Sequence, residues 1–269
     1  MTAAAALAAI ATLVSSAFCL STLERWQARR RPHELAWTVA MAMFALAALA
    51  YWAAAAVGWQ PLNFRLFYLF GAILNVPYLA LGTIYLLGGA SLGNRVRWWL
   101  NVTAAFCAGV VLTAPIEGPL AGTGIPSGKE VLGLGPRIMA AVASGVGALV
   151  IIAGALWSAF ALWRTSRRPG AGTASAIPAG RLALTNVLIA VGALVLGTGG
   201  TLFGTGDRMV DFGIWLAVGV SVLFAGFLVS NPPRGRESAR ERLSPYWAEL
   251  YDIATGPGPG EPEPSDVAA

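Results

Sequence analysis

Residues 63–87 read NFRLFYLFGAILNVPYLALGTIYLL, and the fold follows from this stretch. Its charge is confined to Arg65 near the start, and the remainder is long enough to cross ~30 Å of hydrocarbon at about 1.5 Å per residue. Aromatics crowd the first half, and a polar step, Asn75-Val76-Pro77-Tyr78, interrupts the middle. Six further apolar segments flank it, two before and four after. The pattern predicts an all-α membrane protein, a seven-transmembrane helix bundle. Its spans are Thr2–Ser21, Leu35–Val57, Leu66–Leu87, Trp98–Pro115, Ile138–Trp163, Leu182–Leu202 and Phe212–Ser230.

Composition agrees. Hydrophobic residues make up 57% of the 269-residue chain and charged ones 12%, too few for the surface of a water-soluble domain of this size. The net charge of +5 does not mark a nucleic-acid binder, because the arginines sit in short loops between apolar spans. The loops after spans one, three and five, with the C-terminal tail, hold fourteen basic residues, against four (Arg65, Lys129, Arg137, Arg208) on the other side. That asymmetry predicts an N-terminus outside and a C-terminus in the cytoplasm of a bacterial plasma membrane. Met1–Leu20 has no basic residue before it, and Arg25, Arg29, Arg30 and Arg31 follow it, so it reads as a retained first helix instead of a cleaved signal.

Trp52 and Trp59 are expected at the outer interface, and Trp98, Trp99 and Trp163 at the inner one. Small residues at fourfold spacing, Ala140, Ser144 and Ala148 on span five and Ala217, Ser221 and Ala225 on span seven, are expected to let helices approach closely. The outer loop Ile116–Gly135 is rich in Gly and Pro, with no core of its own. The chain divides into a bundle (1–232), a basic segment with a short amphipathic helix (233–254), and a polar tail (255–269) too rich in Pro and Gly to fold.

Chemistry is limited by what the spans lack. Within them there is no Asp, Glu, Lys, Arg or His, the usual carriers of proton relays, haem ligation and Schiff bases. The seventh span has no lysine to hold retinal; the one lysine, Lys129, lies in an outer loop. Cys19 and Cys107 fall at different depths, which disfavours a disulfide, so two buried, inert thiols are expected. No catalytic residue, metal site or cofactor is therefore expected, and no enzyme. The spans do hold neutral polarity. Asn75, Tyr78, Asn101 and Asn186 should point inward, as interhelical hydrogen bonds or as the lining of a small neutral-ligand pocket. Pro77 frees a carbonyl of its own helix, which favours a site there. The outer-face charges, Arg65 among them, are expected to be solvated.

A second candidate lies past the bundle. Arg234, Arg236, Arg240 and Arg242 precede Leu243, Tyr246, Trp247, Leu250 and Tyr251 at helical spacing. Ser244 and Pro245 suit a helix start. This face is expected to meet the anionic leaflet or a protein partner at the cytoplasmic side.

Residues 29–52, RRRPHELAWTVAMAMFALAALAYW, followed by 64–87, FRLFYLFGAILNVPYLALGTIYLL, resemble uncharacterised seven-helix integral membrane proteins of high-GC, actinobacterial-type bacteria. The resemblance implies the bundle, and no activity or site. The functional expectation is a non-catalytic accessory, scaffold or sensory subunit acting through cytoplasmic loops and tail. The alternative is a carrier of a small neutral or lipid-like solute in a three-plus-one-plus-three arrangement. A filled core favours the first, and a polar cavity between the triplets the second.

Overall fold

Thr2 starts the first helix by accepting the Ala5 N–H on its hydroxyl at 3.3 Å, which satisfies one orphan donor of the first turn. Helix α1 then runs Ala3–Arg29. It ends at Arg30, whose backbone is left-handed (φ 52°) and whose N–H bonds to Trp26 O at 2.7 Å. Pro32 follows at once and opens α2, Pro32–Val57, where its missing N–H costs nothing. The computed structural model describes residues 2–120, 124–126, 128–166, 184, 187–189, 191–192, 194–196 and 208–229. Beyond α2 lie α3 (Pro61–Phe67), a π-helical turn (Tyr68–Leu74), α4 (Asn75–Thr113), the short α5 (Gly128–Val131), α6 (Leu134–Ser166) and α7 (Arg208–Val229). Among the described residues every element is helical, and five stretches are long and apolar enough to cross a membrane: Ala3–Arg29, Pro32–Val57, Pro61–Thr113, Leu134–Ser158 and Arg208–Val229.

The third stretch has 53 residues. Straight, it would reach roughly 80 Å, more than twice the hydrocarbon thickness. It is folded instead, at Gly89, whose φ of 77° and ψ of 178° interrupt the helix. Arg65 donates to the carbonyls of Leu112 and Ala114, Tyr78 to Asn101, and Tyr85 to Asn94. Each pair is symmetric about Gly89 to within a residue, so the two limbs lie antiparallel. A Cβ at Gly93 would fall inside the Tyr85 ring, so the limbs can close near the bend only with glycine there. The segment 88–97, expected as a loop, is thus mostly helix.

That backbone at Gly89 is nearly closed to residues with a Cβ. Gly89→Val should therefore lower stability in detergent by about 1–3 kcal/mol. Gly109→Ala, on the same helix with open space at its Cβ, should leave the melt unchanged. Equal melts for the two variants would contradict the hairpin.

Helix α1 packs between α2 and α7, α2 against α4, and α4 against α6. Apart from Ala5, the buried residues of α1 are Ala4, Ala8, Ala11, Ser15, Phe18 and Thr22, a spacing of alternating fours and threes that keeps one seam of mostly small residues turned inward. Hydroxyls on these helices are satisfied at home: Ser15 bonds to Ala11 O, Thr22 to Phe18 O and Thr38 to Glu34 O, as apolar surroundings require. The small-residue stripe on α7 differs from expectation. Ala217 is buried, but Ser221 and Ala225 are exposed. Close approach is made by Gly219 and Gly226, which lie against Leu196 and Ile189 of a shorter apolar helix, Val187–Leu196. Apart from Leu184, the remainder of the Leu182–Leu202 span lies outside the described residues.

The two ends of the bundle are unlike. One carries Arg25–Arg31, Gly89, Arg95 and Arg97. The other is filled by aromatic rings: Tyr51, Trp59, Phe64, Phe67 and Phe212 meet with centroids 5.2 to 6.3 Å apart. Trp59 is 9% exposed, so it belongs to this core and not to an interfacial belt, whereas Trp52 is exposed as expected. The loop after α4 packs too. Val131 and Leu132 are buried, and Ile116, Leu120 and Ile125 rest on the same cluster. The Glu117 N–H bonds to Val131 O at 3.0 Å and holds the loop across this end.

Candidate functional site

Three helical faces converge toward the arginine end. Helix α2 presents Pro32, Leu35, Ala36 and Val39, the first limb of the hairpin Tyr78, Leu81 and Tyr85, and the second limb Arg97 and Asn101. Between them is a half-open groove of about 230 Å³. The Tyr78 hydroxyl donates to Asn101 Oδ1 at 2.7 Å, and the Tyr85 hydroxyl to Asn94 Oδ1 at 2.8 Å. These bonds consume the amide oxygens and leave the Asn101 Nδ2 donors without a partner among the described residues. Arg97 is exposed and forms no ion pair among them either. The lining holds no carboxylate, thiol or imidazole. Such a groove offers a ligand two tyrosine hydroxyls, an amide and a guanidinium between apolar walls. Among the described residues no cluster of His, Cys, Asp and Glu could hold a metal.

Two of the four expected pocket residues, Tyr78 and Asn101, are thus brought together. Asn75 is 6% exposed but does not line the groove, and its Nδ2 is enclosed without an acceptor. Asn186 and the tail residues Leu243, Tyr246, Trp247, Leu250 and Tyr251 lie outside the described residues.

Near Pro77 one span-three carbonyl, Ala72 O, is bonded from outside its own helix. The π turn ends at Leu74, with the Asn75 N–H reaching Phe70 O, and Pro77, three residues into α4, brings no N–H to the carbonyls of this step. Ser144 of α6 donates to Ala72 O at 2.5 Å, the repair by a neighbouring helix that lipid demands. Ser144→Ala should therefore lower stability by about 0.6–1.7 kcal/mol. Asn75→Leu should leave it unchanged or raise it, because the amide is buried without its full set of bonds. Detergent melts of the two variants check both signs.

Several residues were not singled out by the sequence. Glu34, placed at a loop edge, is 1% exposed, and its Oε1 lies 3.6 Å from Arg25 Nε and 3.9 Å from Arg29 Nη1. Arg25 also covers the Phe227 ring at 4.6 Å, so one guanidinium links α1, α2 and α7. Arg65 is not simply solvated: it caps the carbonyls at the end of α4, where a cation meets the negative end of the helix dipole. Available signals were the Glu at the third position of a Pro-started helix and an Arg spaced symmetrically with the end of α4. Both depend on knowing which helices are neighbours. Cys19 and Cys107 are free thiols, as expected.

No protein-family model, curated protein or solved structure matches the chain.

Proposed function

We propose that the chain is a seven-crossing protein of a bacterial cytoplasmic membrane that serves as a non-catalytic accessory, scaffold or sensory subunit. On this reading the N-terminus is outside, the C-terminus is cytoplasmic, and partners are met through the arginine end and the tail. The observation that carries it is the filled end opposite the arginines: among the described residues Tyr51, Phe64, Val131 and Leu132 are at most 3% exposed and pack into one apolar cluster. Folding the 53-residue stretch at Gly89 supplies one crossing more than the five apolar stretches alone, and the partly described Val187–Leu196 segment is counted as another.

Reporters fused after Trp163 and near Ser127 should report cytoplasm and exterior respectively; either reversed assignment would overturn the orientation. For the role itself, in-membrane photocrosslinking from the arginine end should give a defined adduct with another protein. Truncation after Pro232 should abolish that adduct while the bundle still melts cooperatively. The second reading, a carrier of a lipid-like solute, draws support from the groove. Solute-dependent flux in proteoliposomes, unchanged by the truncation, would favour it.

A further inference from the structure

The groove between α2 and the hairpin combines features that a bare lipid-facing surface does not need. Trp98 and Trp99 are 59% and 61% exposed and sit on the second limb where a membrane interface is expected. Arg97 is at their level. Asn101 lies one turn deeper, about 6 Å along the helix, and it too is exposed. Its Nδ2 donors point to no protein acceptor among the described residues, although an unpaired amide is costly at the edge of hydrocarbon. Beyond it, half-buried Leu35 and Val39 of α2 continue an apolar wall of the groove. Read from the arginine end, the order is cation, amide donor, hydrocarbon.

We propose that this groove seats the headgroup and glycerol region of an acidic phospholipid. Its phosphate meets Arg97, an ester carbonyl accepts from Asn101 Nδ2, and its acyl chains pass Leu35 and Val39 into the bilayer. A glycerophospholipid presents these groups in the same order, since its ester carbonyls lie just below the phosphate. The groove volume of about 230 Å³ suits that polar portion and not the chains, which stay in the bilayer. Charge complementarity selects the acidic class. Arg97 forms no ion pair among the described residues, and Arg31, next to the lining residue Pro32, is exposed. The occupant is a lipid of the surrounding leaflet and not free phosphate, because the amide and the apolar continuation recognise parts that phosphate lacks. This assignment stands apart from the scaffold reading: the groove is there whether or not a protein partner meets the arginine end.

The test uses the full-length protein in a zwitterionic detergent, with bound lipid measured by native mass spectrometry and by the shift in melting temperature. The probes are phosphatidylglycerol and phosphatidylcholine of identical chains, and inorganic phosphate. Phosphatidylglycerol should bind preferentially and raise the melt, while inorganic phosphate should do neither. Arg97→Gln should weaken phosphatidylglycerol binding roughly five- to tenfold and abolish the preference over phosphatidylcholine. Asn101→Leu should weaken both lipids while keeping the preference. Both side chains are exposed, so the variants should fold; Leu112→Gln, on an exposed site of the same limb away from the groove, serves as the control and should change nothing. Equal binding of the two lipids by the wild type, or a preference that survives Arg97→Gln, would overturn the proposal. A shift produced by inorganic phosphate alone would do so too.

Discussion

Glu34→Gln should destabilise the bundle by about 2 kcal/mol, and the added substitution Arg25→Gln should return part of that loss. The carboxylate is 2% exposed and Arg25 22%, so removing the negative charge leaves a largely enclosed guanidinium with no counter-charge. Breaking one side of a fully buried pair costs roughly 3–5 kcal/mol. The lower figure applies here because the arginines retain some solvent and the distances, 3.6 and 3.9 Å, are long. Arg29, at 42% exposure, should contribute little. The substitution also removes a negative charge from the first turn of α2, where it faces the positive end of the helix dipole. The check is a double-variant cycle on melting in detergent. Partial recovery in Arg25→Gln/Glu34→Gln means that the two side chains are coupled; strict additivity of the single losses would mean that they are not.

Gly147→Leu should be at least as damaging, at about 3 kcal/mol. An added Cβ at Gly147 would come within 3.1 Å of Pro77 N and of Val76 C. These are backbone atoms, and they cannot rotate away. Overpacking of this kind typically costs roughly 1–3 kcal/mol. Here α6 would also be pushed from α4, so the Ser144–Ala72 bond is lost with it. Gly145→Leu, whose Cβ meets open space, should be close to neutral. Similar melts for the two leucine variants would mean that α6 does not rest on the Pro77 kink as described.

Much of the bundle was legible in the chain. The apolar runs mark the long helices because length and hydrophobicity act locally, and each span carries its own signal. Pro77 announced a freed carbonyl for the same reason: a missing N–H is a property of one residue. The Trp98–Trp99 pair also kept its expected exposure. The groove was half legible. Tyr78 and Asn101 were named as pocket residues from their polarity alone, but Arg97, Tyr85 and Leu81 were not. Nothing in a one-dimensional pattern tells which face of α2 meets which face of the hairpin.

Misread positions share one cause. Trp59 reads like Trp52 and Ser221 like Ser144, yet each pair differs in what lies opposite. What lies opposite is set by the register between helices, and that register is fixed by contacts distant in sequence. Gly89 turns one apolar run into two antiparallel limbs. Ala72 O takes its donor from Ser144 of another helix, and Gly147 and Gly219 let neighbouring helices close. The sequence by itself determined a helical, membrane-type chain with its basic residues concentrated in alternate loops, since hydrophobicity and charge are summed residue by residue. The tertiary structure alone decided that Glu34 would be buried between arginines and that Tyr78 would meet Asn101. Partnership depends on distance in space, and a single glycine can change that distance without altering composition.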